Sequence, residues 1–109
     1  MDQNLFKVKG TYVNGQWMNA SKSYVVINPS NNKKLADIPV SSEEELELAV
    51  QSASKAQKIW AKVPLKQRAD SILKLCSLIE KKAEEFALMD TYNAGNAITF
   101  ARKDVIQAV

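Results

Sequence analysis

The sequence predicts an α/β fold in which short antiparallel strands precede two long amphipathic helices and the start of a third. Three observations lead there. An Asn14-Gly15 pair sits between strand-forming residues, apolar residues recur at spacings of three and four from residue 41 onward, and one proline, Pro64, divides that helical stretch. The strands fall within residues 11–40, the helical pair within 41–94 and the third helix within 96–109.

Residues 1–10 show no sustained period and read as an irregular lead-in. Tyr12-Val13-Asn14-Gly15-Gln16-Trp17-Met18 then reads as a hairpin, because Asn and Gly both tolerate positive φ at a two-residue turn. A turn over 19–22 leads into Tyr24-Val25-Val26-Ile27, a β-branched run that Pro29 ends. Ser30 to Lys34 is turn-rich, and Leu35 to Val40 forms a further short strand.

The first helix begins at a capping box. Ser41 and Ser42 precede Glu44 and Glu45 by three residues, so a hydroxyl accepts from an orphan amide while a glutamate reaches back. Leu46, Ala49, Val50, Ala53, Ala56, Trp60 and Val63 then share one face. Pro64 cannot continue that helix, yet its fixed φ suits the start of another. The second helix is predicted to run unbroken to Gly95, a left-handed cap, with a stripe from Leu65 through Cys76 and Ile79 to Ala87. Leu75, Leu78, Leu88 and Met89 widen that stripe, so more than one neighbour is expected, with the first helix lying beside the second. Ile98, Ala101, Val105 and Val109 start a third stripe with no closing residue, as in a helix that is cut.

Composition restricts the chemistry. With 46% hydrophobic and 25% charged residues and no long apolar run, the 109-residue chain reads as soluble and cytoplasmic, without a membrane partner. A net charge of +3, spread among acidic residues, does not favour nucleic acid. One cysteine and no histidine exclude an internal disulfide, a His/Cys zinc site and a histidine-dependent triad within this chain. Cys76, in mid-stripe, is expected to be core, as are Trp17 and Trp60. The carboxylates Glu43 to Glu45, Glu80, Glu84 and Glu85 fall on capping or solvent-facing positions. Glycines at 10, 15 and 95 make no phosphate-binding loop. No catalytic or cofactor-binding residue is therefore assigned.

Tyr12 to Trp17, Val26-Ile27-Asn28-Pro29, Ile38-Pro39 and a Ser/Glu-capped helix ending near Trp60 follow one another in an order that resembles the opening of the aldehyde dehydrogenase superfamily. The similarity continues through Arg68, Ile72-Leu73, Leu78-Ile79, Glu84-Glu85 and Gly95 to Asp104-Val105. The resemblance implies the N-terminal portion of the cofactor-binding domain of an NAD- or NADP-dependent enzyme. Such an enzyme oxidises an aldehyde substrate to a carboxylic acid and works as a homodimer or tetramer. In that family a cysteine thiolate attacks the aldehyde, hydride passes to the nicotinamide, and a glutamate-activated water hydrolyses the thioester. Those residues lie beyond the matched segment, and Cys76 does not correspond to the nucleophile, so this segment alone is expected to be inactive.

One family site is implied within the chain, a monovalent cation (K⁺ or Na⁺) held at Val26, Ile27 and Asn93. Asn93 stands where an aspartate is usual, and Asn96 where a lysine is common. Alone, the segment is expected to be marginally stable or self-associating. The rival reading is a non-catalytic interaction module that uses its broad apolar helical face.

Overall fold

The structure is a computed structural model that describes residues 5–109. Its first element is set by the Asn-Gly pair. Asn14 (φ 50°) and Gly15 (φ 79°) both take positive φ, joining strand β1 (Thr11–Val13) to β2 (Gln16–Met18) in the expected hairpin. Tyr12 pairs with Trp17 across it, their ring centroids 4.9 Å apart. Gly10 precedes the hairpin at φ 114°, where a Cβ would fall 2.2 Å from the Met18 carbonyl oxygen. Only glycine fits there.

Strands β3 (Lys22–Ile27) and β4 (Lys34–Val40) form a second antiparallel ribbon, its register shifting between Val26 and Ile27. Asn28 organises the connecting turn. Its N–H donates to the Lys33 carbonyl at 2.8 Å, its own carbonyl accepts from Asn32 N–H at 2.8 Å, and its Oδ1 accepts from Ser30 N–H at 2.9 Å. These bonds satisfy a polar residue that is buried.

Helix α1 (Glu43–Trp60) starts at the capping box. Ser42 Oγ accepts from Glu45 N–H at 3.2 Å, and Glu45 Oε2 accepts from Ser42 N–H at 2.7 Å. Ser41 instead bonds Thr11 through its hydroxyl at 3.0 Å, tying helix start to hairpin. Helix α2 (Leu65–Lys81) follows Pro64, which caps it at φ −52°.

The predicted long second helix is two helices. Lys82 leaves the helical region (φ −113°, ψ 14°), and α3 (Ala83–Ala94) begins after it. The charges favour the break, since Lys81 meets the negative end of α2 while Glu84 and Glu85 meet the positive end of α3. Lys82 Nζ also contacts Glu85 Oε2 at 3.0 Å. The apolar stripe gave no sign of the break because Cys76, Ile79, Ala83 and Phe86 keep helical spacing across it.

Gly95 closes α3 in the left-handed region at φ 78°, as expected. Helix α4 (Ile98–Gln107) folds back on α3 and ends at Gln107, where the stripe predicted continuation through Val109. Ala87 and Ala101 are buried between these helices, and their small side chains permit close approach. Arg102 clamps the pair, its Nε and Nη2 donating to the two Glu84 carboxylate oxygens at 2.9 and 2.6 Å. This bond holds the Glu84 carboxyl below the ordinary carboxylate range and raises Arg102 further.

Elsewhere the helices lack cover. Helix α1 rests on β1 and α2 touches α4, whereas α1 does not pack along α2 as expected. No residue of α1 or α2 is buried. Cys76 is half-buried rather than core, and Trp17 and Trp60 are 55% and 42% exposed. The molecule extends 49 × 34 × 18 Å, and among the described residues the buried apolar ones are small, Val13 and three alanines, Ala36, Ala87 and Ala101.

Candidate functional site

Three elements converge at the end of β3: the strand itself, the Asn28 turn and the C-terminus of α3. A Cβ placed on Gly95 would lie 3.1 Å from Pro29 Cγ, so the helix cap sits against the turn. Beside this junction is a cavity of about 310 Å³ whose walls include Val26 from β3 and Asn93 from α3. Two of the three residues expected for a cation site therefore share a cavity. Ile27 does not line it; Ile27 lies past the register shift and is half exposed.

Asp90 also lines this cavity, one helical turn before Asn93. Its Oδ2 accepts from Asn96 Nδ2 at 2.9 Å, a bond that spans the cap at Gly95. Sequence reasoning placed the missing charge at Asn93 and overlooked Asp90. The signal was the i,i+3 spacing, which sets both residues on one helix face. Phe6, Ala36, Ile38 and Met89 also line the cavity, with Asp90 and Asn93 bringing side-chain oxygens of the kind a hard cation takes. Among the described residues no group of three His, Cys, Asp or Glu side chains could hold a metal.

Other candidates remain apart. Cys76 lies within α2, with no histidine anywhere in the chain to act as its base. Glu84 is committed to Arg102 on the surface. Glu43, Glu44 and Glu45 occupy the first turn of α1 as expected. Glycines at 10, 15 and 95 are too far apart to form a glycine-rich loop. Among the described residues no helix is long and apolar enough to cross a membrane.

Comparison with known proteins decides the family. The sequence model of the aldehyde dehydrogenase family matches residues 17–109, from β2 through α4. The chain belongs to the aldehyde dehydrogenase family. It is 35% identical over 100 residues to a malonate-semialdehyde dehydrogenase of Bacillus pumilus, a match covering 90% of this chain and 21% of that protein. The fold is the family's as well. A crystal structure of an aldehyde dehydrogenase from Brucella melitensis biovar abortus superposes with a TM-score of 0.87 at 30% identity, over 95% of this chain and 22% of that one. An NADP-dependent glyceraldehyde-3-phosphate dehydrogenase from Bacillus halodurans, complexed with NADP, superposes with a TM-score of 0.85 at 25% identity, over 91% and 21%. The chain thus spans about a fifth of the length of the relatives it matches.

Proposed function

We propose that this chain forms the N-terminal part of the cofactor-binding domain of an NAD(P)-dependent aldehyde dehydrogenase that oxidises an aldehyde to a carboxylic acid. The observation that carries this reading is the unbroken family match from residue 17 to residue 109, which takes in strands and helices together. The whole enzyme works as a cytoplasmic dimer or tetramer. The matched segment supplies scaffold and not chemistry, because it holds no nucleophile with a base and no phosphate loop. Malonate semialdehyde, named for the Bacillus pumilus relative, is the first substrate to try.

A cation role belongs to the same proposal. K⁺ or Na⁺ sits at the junction of β3 and α3, near Val26, Ile27 and Asn93, with Asp90 supplying the negative charge that Asn93 lacks. The shared cavity wall of Val26, Asp90 and Asn93 supports this reading. Such an ion would fix strand end to helix end.

The test is a hybrid enzyme in which the whole chain replaces the matched opening segment of the Bacillus pumilus relative. With malonate semialdehyde and NAD⁺ or NADP⁺, the hybrid is expected to generate reduced cofactor, read by its near-ultraviolet absorbance, while the chain alone generates none. A folded hybrid that reduces neither cofactor would refute the assignment. Replacing K⁺ and Na⁺ by a bulky organic cation is expected to lower its thermal midpoint, and Asp90→Asn to abolish that difference.

A further inference from the structure

The turn of the first hairpin carries a chemistry of its own. Asn14-Gly15 is the one place in the chain where an asparagine precedes a glycine. Asparagine is a labile residue, because the backbone nitrogen of the next residue attacks the side-chain carbonyl carbon and closes a succinimide ring. A side chain on that next residue crowds the attack, and glycine has none.

The structure leaves this pair open to reaction. Asn14 and Gly15 are both exposed, and a Cβ on Gly15 would meet no atom within 4 Å. Among the described residues the Gly15 N–H makes no turn hydrogen bond. Ring closure requires the turn to swing the Gly15 nitrogen toward the Asn14 side chain, and little resists that movement. The hairpin joins two strands of 3 residues each in a sheet of those two strands alone, an element that is marginally stable by itself. Other asparagines are placed differently. Asn28 is buried and precedes Pro29, whose nitrogen carries no hydrogen, while Asn96 precedes an alanine and donates to Asp90.

We propose that Asn14 is a site of spontaneous modification, converting to aspartate and isoaspartate with water as co-reactant. The Gly15 nitrogen gives up its proton and bonds to Asn14 Cγ, the Cγ–Nδ2 bond breaks, and the departing nitrogen takes a proton and leaves as ammonia. Water then opens the ring. Attack at Cγ yields aspartate, and attack at the main-chain carbonyl yields isoaspartate. Either product carries a new carboxylate, which lowers the net charge of +3 by one. Asn14 lines a trough of about 480 Å³ between the hairpin and α1, where Lys55 is the one charged lining residue, so the new charge arises on a wall shared with a lysine. The isoaspartyl form also adds a carbon to the backbone between Val13 and Gln16, whose pairing fixes the hairpin register.

The test ages the whole chain in mildly alkaline buffer that retains its helical circular dichroism. Each asparagine is followed by peptide mapping with mass spectrometry, and isoaspartate is counted with an isoaspartyl methyltransferase. Asn14 is expected to convert about tenfold faster than any other asparagine, and Gly15→Ala to slow it by about tenfold, since the added Cβ crowds the attacking nitrogen. The folded chain is expected to convert Asn14 within about tenfold of the rate in guanidinium, as a turn that opens readily allows. Conversion spread evenly over the asparagines, or first at another one, would overturn the proposal. So would a Gly15→Ala chain that converts as fast, or a folded chain slowed beyond that limit, the mark of a turn that stays shut.

Discussion

Helices α3 and α4 close on each other, whereas α1 and α2 stay open, although all four carry apolar residues at helical spacing. The closed pair buries Ala87 and Ala101 and is clamped by Glu84 and Arg102. The open pair buries no residue. Periodicity states which face seeks cover, while burial depends on whether a partner is present. Helix α1 is anchored at its start by the capping box and by the Thr11–Ser41 contact just before it.

Substitutions can break or sharpen this contrast. In the chain alone the largest effect is expected from Ala87→Leu, which forces extra volume into the α3–α4 contact and costs about 1–3 kcal/mol, read by denaturant unfolding. Gly10→Ala comes next, at roughly 1–2 kcal/mol from the positive φ alone, and more if the Met18 carbonyl does not yield. Loss of the hairpin amide signals in an NMR spectrum would report it. Ser42→Ala removes one half of the capping box and is expected to cost about 1 kcal/mol, seen as reduced helicity confined to α1.

Leu73→Ala, on the open side, is expected to stay within about 0.5 kcal/mol in the chain alone. In the whole enzyme the same change is expected to cost about 2–5 kcal/mol, the range for a filled core position. Smallest is Glu84→Gln, since the ion pair is exposed and screened by salt. Its signature is pH dependence. The Glu84 carboxyl is depressed in the folded chain, so its contribution is full above the ordinary carboxylate value and fades as pH falls through the lowered one. Acidification over that window is expected to loosen α3–α4 in the native chain and to have less effect in the variant.

Local signals were legible in the sequence. Asn14-Gly15, Ser42 with Glu45, Pro64 and Gly95 each act through their own backbone or a neighbour within a few residues, and each does so in the structure. The break at Lys82 was written in charge, Lys81-Lys82 before Glu84-Glu85, but hidden in the apolar period. Trp17, Trp60 and Cys76 stand in a core pattern yet stay partly exposed, because pattern shows which face seeks cover and not whether cover is present. Of the candidate site, Val26 and Asn93 line one cavity and Ile27 does not, while Asp90 joins them through the helix face it shares with Asn93, which a single sequence position does not reveal.

Amide hydrogen exchange along the isolated chain tests the contrast most directly. Protection is expected to concentrate in α3, α4 and the Asn28 turn, with α1 and α2 exchanging quickly beyond the capped first turn of α1. Uniform protection across all four helices, lost in one sharp transition of a monomer, would contradict it and favour a self-sufficient module.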